Sequence, residues 1–267
     1  VAAIIQFTAH PVTAYHPEKP VAHGEYPSVA AGILSRKLSR KGVLPPVAFL
    51  QGCCGDVNSK KMFVGGIAGA ERHGRLLGET CVKAAGRLQP SSGEGLGFAV
   101  ATAAVPLAPL PSQRVLERER EEMEDFIRRA KAGDEETLNC VGLNFPRRLT
   151  PLYRSRLVEM PLAWVRWALE QHRRGGAAKV PRTLDLEMQV LRVGDVGIVC
   201  MPCEPFQGIG RQIRHGSPLD LTIPCGYANA GYPYITDAPN TGDSEYMSAC
   251  FRYTEYLPPL KKPAGDV

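Results

Sequence analysis

Pro46-Val47-Ala48-Phe49-Leu50-Gln51-Gly52 is an apolar run of strand length that stops on a glycine, and the polar loop Cys53-Cys54-Gly55-Asp56-Val57-Asn58 follows it. Helical spacing then sets in over about residues 66–88. A short buried strand leading through a polar loop into a helix is the repeating unit of an α/β fold. The same rhythm extends on both sides. Toward the N-terminus, residues 2–9 are apolar and β-rich, and Ser28–Lys41 carries Val29, Ala30, Ile33, Leu34 and Leu38 at helical spacing, with Gly42 placed to end the helix. Toward the C-terminus a strand is expected at about 95–105. Farther on, Leu184, Leu186, Met188 and Val190 alternate with Asp185, Glu187 and Gln189 before Gly194-Asp195 turns the chain into the apolar strand 196–201. A short helix near 206–214 and a strand near 219–225 complete the pattern. The expectation is one α/β domain over residues 1–267, a mixed, mainly parallel sheet with helices on its faces.

Residues 111–180 interrupt this alternation. A highly charged helix is expected from Ser112 to about Ala132, where Gly133 can end it, and a second from Pro161 to about Arg173, carrying Trp164 and Trp167. The segment reads as a helical insertion. Its charge run Arg118–Asp125 reads as a solvated helix face, with Asp125 in reach of Arg128 and Arg129.

A net charge of +5 is mildly basic, but the Lys and Arg residues fall mostly on predicted helices and do not alternate with aromatics, which argues against a nucleic-acid partner. No run reaches the ~20 apolar residues of a membrane span, so no transmembrane segment is expected. The sequence opens on strand-like Val1-Ala2-Ala3-Ile4-Ile5 without an initiator Met or a signal peptide, and reads as N-terminally truncated. Eight cysteines are present, mostly in apolar or small-residue contexts where a free thiol packs as a small hydrophobe. Cys200-Met-Pro-Cys203 stands alone without a second CxxC, which favours packing over a redox or zinc role.

Four polar clusters directly follow predicted strands: His10, Gly52–Asn58, Glu204 and Asn229–Tyr234. Ligands of open α/β sheets bind beyond the carboxyl ends of strands, so these loops are expected to converge. His10 lies between a strand and Pro11, with His16 and His23 farther along, and none of these spacings is a standard zinc signature. Glu204 sits between Pro202 and Pro205 among apolar neighbours, where an unpaired charge is costly and a cation, a salt bridge or a helix N-terminus would compensate it. The Gly/Pro-rich loop 226–236 holds Tyr227, Tyr232 and Tyr234, each open to a packing role or a chemical one. The loop around Gly55 is either a simple turn or a place where backbone amides approach a substrate. It is not a P-loop, and no G-x-S-x-G elbow occurs in the chain.

In order, these clusters resemble the neutral/alkaline non-lysosomal ceramidases. The matching residues are Phe7-x-x-His10-Pro11, Tyr26-Pro27 before a helix, Val47-Ala48-Phe49-x-Gln51-Gly52-x-x-Gly55-Asp56-Val57, Arg192-x-Gly194-Asp195 with Pro202-x-Glu204-Pro205-Phe206, and Asn229-x-x-x-x-Tyr234-Ile235-Thr236. The resemblance implies a Zn2+-dependent hydrolase that cleaves the amide of a ceramide-like N-acyl lipid by metal-activated water. It implies His10, Glu204 and Tyr234 as metal ligands, with a first zinc histidine and a substrate arginine upstream of Val1. Tyr246, twelve positions after Tyr234, falls on the tyrosine that helps stabilise the reacting carbonyl, and Gly55, Asp56 and Asn229 fall on substrate-binding positions. The resemblance also points to a secreted or periplasmic protein. The family's Gly-Asp-x-Ser reads Gly55-Asp56-Val57-Asn58 here, so Asn58 takes the place of a serine and is expected to act as an amide donor to an oxyanion. Two alternatives stay open: a non-catalytic binding domain on a ceramidase-like fold, and a zinc hydrolase of another amide or ester.

Overall fold

A computed structural model describes residues 2–16, 21–91, 93–242, 251–254 and 256–267. The chain divides into two compact units. Val1–Ala101 and Glu187–Gly231 make the first, and Thr102–Leu186 and Tyr232–Val267 make the second. The elements alternate as expected of a mixed α/β chain.

The first unit opens with β1 (Ala3–Phe7), α1 (Glu25–Leu38), β2 (Val47–Gln51) and α2 (Gly66–Ala85). β1 and β2 pair in parallel, Ala3 opposite Val47 through Phe7 opposite Gln51. Ile5, Ala30 and Leu34 form a core with Val47, Phe49, Leu77 and Val82, which seats α1 and α2 on this pair. A second, four-stranded sheet has the order β3 (Leu96–Pro106), β6 (Thr183–Val193), β7 (Val196–Cys200), β9 (Leu221–Cys225). The unit boundaries fall inside β3 and β6. The hairpin read from Gly194-Asp195 is present: β6 and β7 are antiparallel with Val193 opposite Val196, and Gly194 takes φ +61° in the turn. β7 and β9 are parallel, with Cys200 opposite Cys225. Among the described residues these strands form a parallel pair, β1–β2, and a four-stranded mixed sheet, so the expected mixed α/β architecture is spread over more than one sheet.

The second unit is built on α3 (Gln113–Lys131) and α4 (Pro151–Arg173), with the short β4 (Asn139–Cys140) and β5 (Leu143–Asn144) between them. Leu116, Met123, Phe126 and Ala130 recur at helical spacing on α3 and are buried against Val158, Leu162, Trp164, Val165 and Ala168 of α4. The charged face of α3 is solvated as expected, and Arg128 and Arg129 both pair with Asp125. Described residues near the C-terminus pack with these helices: Trp164 Nε1 donates to the Leu257 carbonyl at 2.8 Å, and Arg252 pairs with Glu119 at 2.9 Å.

Two helices differ in extent from the sequence reading. α4 begins at Pro151, capped by Thr150, whose hydroxyl accepts from Tyr153 N–H, and the helix runs through Pro161 where a start was expected. An interior proline removes one hydrogen bond. Here Pro161 is buried within the apolar stripe of α4, and tertiary packing overrides the local break. α1 starts three residues earlier than read and ends at Leu38, while Gly42, at φ +79°, serves the Arg40–Val43 turn and does not cap the helix.

Candidate functional site

The loops that leave β1, β2, β7 and β9 meet within the first unit. His10 follows β1 and is 8% exposed. Its backbone N–H donates to the Val57 carbonyl at 2.9 Å, which ties it to the loop after β2. The carbonyl of the preceding Ala9 accepts from the Tyr26 hydroxyl at 2.6 Å and from Gln51 Nε2 at 2.9 Å. With both flanks fixed, the imidazole has little freedom to swing.

Glu204 lies on the two-residue strand β8 (Glu204–Pro205) between buried Cys203 and Phe206. Its Oε2 is 3.0 Å from His10 Nε2, although the residues are 194 positions apart. The glycine loop holds it there. Gly55 N–H donates to the Pro205 carbonyl at 2.9 Å, and Asp56 Oδ1 accepts from Gln207 N–H at 2.7 Å. Gln207 is the first residue of α5 (Gln207–Gly216), so Asp56 satisfies a free helix N–H and places negative charge at the positive end of the helix dipole. Only glycine fits at position 55: a Cβ there would lie 2.7 Å from the Phe206 ring and 2.8 Å from the Glu204 carbonyl oxygen.

Tyr227 follows β9, and its hydroxyl is 2.9 Å from His10 Nε2 and 3.5 Å from Cys54 Sγ. Its backbone is at φ +59°, a conformation that bulky L-residues rarely adopt and that costs about 1–3 kcal/mol. Three hydrogen bonds hold the segment in place: Gly226 N–H to Gln51 O at 3.1 Å, Tyr227 N–H to Cys203 O at 2.9 Å, and Ala228 N–H to Met201 O at 3.0 Å. The strained residue is thus fixed from the ends of two other strands.

Burial lowers the affinity of His10 for a proton, but hydrogen bonds and negative charge from Cys54 and Glu204 outweigh it and raise the pKa to about 10. The Tyr227 phenol is pushed well above its ordinary value by burial and by the charges of Cys54 and Glu204. Burial also pushes the thiols of Cys53 and Cys140 up to about 12 and that of Cys225 to about 11, as befits packed cysteines with little thiolate character. Burial raises Cys200 and Cys203 of the CxxC pair as well, and both are free thiols.

The other expected site residues fall as follows. Asn58 is exposed at the end of the loop whose Val57 carbonyl anchors His10. The N–H of Gly55 and the carboxylate of Asp56 are engaged with the Glu204 segment, so both act as supports for that residue. Asn229 is at φ +67°, and its Nδ2 donates to Gln189 Oε1 at 2.8 Å. Tyr234 is half-buried on β10 (Tyr234–Ile235), in the second unit. Tyr246 lies outside the described residues. Sequence reasoning did not single out Tyr227 or Cys54 for the site. The available signal was position, since each lies within three residues of the end of a predicted strand.

No three His, Cys, Asp or Glu side chains among the described residues form a group that could hold a metal ion. The third group here is a phenol. Zinc–ligand bonds of ~2.0–2.1 Å put tetrahedral donors about 3.3 Å apart. His10 Nε2 stands at 3.0 Å from Glu204 Oε2 and 2.9 Å from the Tyr227 oxygen, so a small outward shift of these N and O donors fits zinc.

No protein-family model matches the chain, and no curated protein matches it in sequence. Two solved structures are similar in fold. Neutral ceramidase from Pseudomonas aeruginosa superposes with a TM-score of 0.51 at 16% identity over 95% of this chain and 39% of its own. A ceramidase complexed with C2 gives 0.55 at 16% identity over 91% of this chain and 41% of its own. The chain spans about two fifths of the length of these enzymes. The described architecture is therefore similar to part of these ceramidases, a likeness of fold.

Proposed function

We propose that this chain carries part of a zinc-dependent hydrolase site that cleaves the amide bond of a ceramide-like N-acyl lipid. The observation that carries the reading is the meeting of His10, Glu204 and a tyrosine hydroxyl beyond the carboxyl ends of β1, β7 and β9. The likeness in fold to ceramidases directs the choice of substrate.

His10 and Glu204 would hold the metal, together with a phenol oxygen that the sequence resemblance takes from Tyr234. Bound zinc supplies Lewis acidity, polarising a carbonyl and acidifying water toward pKa ~7. Asp56 and Gly55 keep Glu204 at its station through α5 and Pro205. The Val57 carbonyl and the doubly bonded Ala9 carbonyl do the same for His10. Asn58 and Tyr246 are the donors proposed for the developing oxyanion, each worth about 2.7–4 kcal/mol if it behaves as an oxyanion-hole group. Asn229 is proposed to line the substrate path beside Gln189.

The test is metal analysis combined with release of free fatty acid from N-acylsphingosine, using the longest natural polypeptide that contains residues 1–267. Stoichiometric zinc is expected, with turnover lost on chelation and restored by zinc. A folded protein that binds no zinc and releases no fatty acid would overturn the reading and leave a binding domain on the same fold.

A further inference from the structure

We propose that Glu25, the first residue of α1, is a positioning residue that fixes the loop carrying His10. Its effect on the metal rests on the zinc reading, whereas its effect on the loop stands on geometry within the first unit. Ala14 lies four positions after His10, and its backbone N–H donates to Glu25 Oε1. The next residue of the helix takes the other side: the Tyr26 hydroxyl donates at 2.6 Å to the carbonyl of Ala9, the residue before His10. Two adjacent side chains in the first turn of α1 therefore grip the chain on both sides of one imidazole. The stretch between the grips is pinned as well. Phe63 N–H donates to the Val12 carbonyl at 3.1 Å, and the hydroxyl of fully buried Thr13 stands 3.4 Å from His73 Nδ1.

A carboxylate in the first turn of a helix ordinarily serves the free N–H groups of that helix. Glu25 does not: its Oε1 is turned to the His10 loop, and among the described residues its buried Oε2 has no hydrogen-bond partner. Burying a carboxylate with one oxygen unpaired is costly. The backbone adds to that cost, since Glu25 is at φ +51°, an uncommon conformation for a residue with a side chain. It is kept there by two bonds, from Glu25 N–H to His23 Nδ1 at 2.9 Å and from the Ser28 hydroxyl to the Glu25 carbonyl at 3.1 Å. Strain and desolvation at one residue, both directed at the loop that bears a site histidine, are the pattern of a functional constraint.

The experiment compares wild type, Glu25→Ala, Glu25→Gln and Ser35→Ala in the longest natural polypeptide containing residues 1–267. Ser35 lies on the same helix and donates to the Pro45 carbonyl at 2.7 Å, so its variant reports the loss of an α1 hydrogen bond made away from the His10 loop. Two quantities are read: hydrogen exchange of the His10 amide in metal-free protein, and zinc affinity. Glu25→Ala is expected to speed exchange at His10 while the α1 amides keep their rates, and to weaken zinc binding about tenfold, as when a metal ligand loses its support. Turnover of N-acylsphingosine should lose kcat at unchanged KM. Glu25→Gln keeps an acceptor for Ala14 N–H and should restore most of the affinity, and Ser35→Ala should match wild type in both readings. Wild-type exchange at His10 in Glu25→Ala, or equal weakening of zinc by Ser35→Ala, overturns the proposal. Wild-type protein that takes up no zinc overturns the zinc reading, and the His10 amide still decides the role of Glu25. Should Glu25→Ala fail to fold, Glu25→Asp takes its place, one methylene short of Ala14, and wild-type values there overturn the proposal in the same way.

Discussion

In the helical unit Arg154 is fully buried, and its guanidinium donates to the carbonyls of Leu149, Glu135 and Thr137, none more than 19 positions away. In the sheet unit His10 is nearly as buried, and its side-chain partners Glu204 and Tyr227 lie 194 and 217 positions away. Both arrangements satisfy a polar group taken out of water, yet they differ in kind. Arg154 draws its acceptors from one short stretch, mostly main-chain carbonyls with the Thr137 hydroxyl and the Glu135 carboxylate beside them, so it seals the turn before α4 as that stretch folds. His10 faces titratable side chains delivered by separate loops, each fixed by its own backbone bonds. Local main-chain satisfaction marks a structural plug, and distant side chains converging on one atom mark a place where chemistry can occur.

The comparison breaks most visibly at Arg154. Arg154→Met would keep much of the volume but take the guanidinium from the carbonyls of buried Leu149 and Thr137, and should destabilise the helical unit by about 3–5 kcal/mol. Chemical denaturation followed by tryptophan fluorescence reports it through Trp164 and Trp167. A loss below 1 kcal/mol would show that water reaches those carbonyls and that the plug is dispensable.

At the loop site the largest structural effect should come from Gly55→Ala. The added Cβ meets the Phe206 ring and the Glu204 carbonyl oxygen, and a cost of about 1–3 kcal/mol with reduced zinc uptake is expected. Unchanged zinc content together with unchanged stability would mean that the Glu204 segment moves freely. Asp56→Ala removes the acceptor for Gln207 N–H and should cost about 1 kcal/mol. Asp56→Asn should recover most of that loss if capping is the role, whereas a substrate-binding role predicts altered KM at unchanged stability.

The smallest effect is one of pH. The folded-state pKa of His10, about 10, lies above its ordinary 6.5, so protonation favours the folded state. In metal-free protein this contribution is complete below pH 6.5 and is lost as pH rises through about 10. The thermal midpoint should therefore fall over that interval, and His10→Asn should flatten the decline relative to wild type. Parallel declines in the two proteins would assign the pH dependence to other groups. With zinc bound the dependence should vanish, because the metal takes the place of the proton.

Much of the fold is legible in local pattern because periodicity reports which face of each segment is buried. β2 and its loop, the hairpin at Gly194-Asp195 and the Ser112-initiated helix all follow from it. The approach of His10 to Glu204 was legible for a topological reason: polar loops after parallel strands face the same edge. Pro161 inside α4 was not, because its cost is offset by a core that no local window contains. Nor were the support of Glu204 by Asp56, 148 positions earlier, and the position of Tyr227. The sequence by itself determined which residue types stand at the strand ends. Which hydroxyl faces His10 was decided only by tertiary hydrogen bonds, since those from residues 226–228 to Gln51, Cys203 and Met201 hold a backbone angle that Tyr227 would not adopt alone.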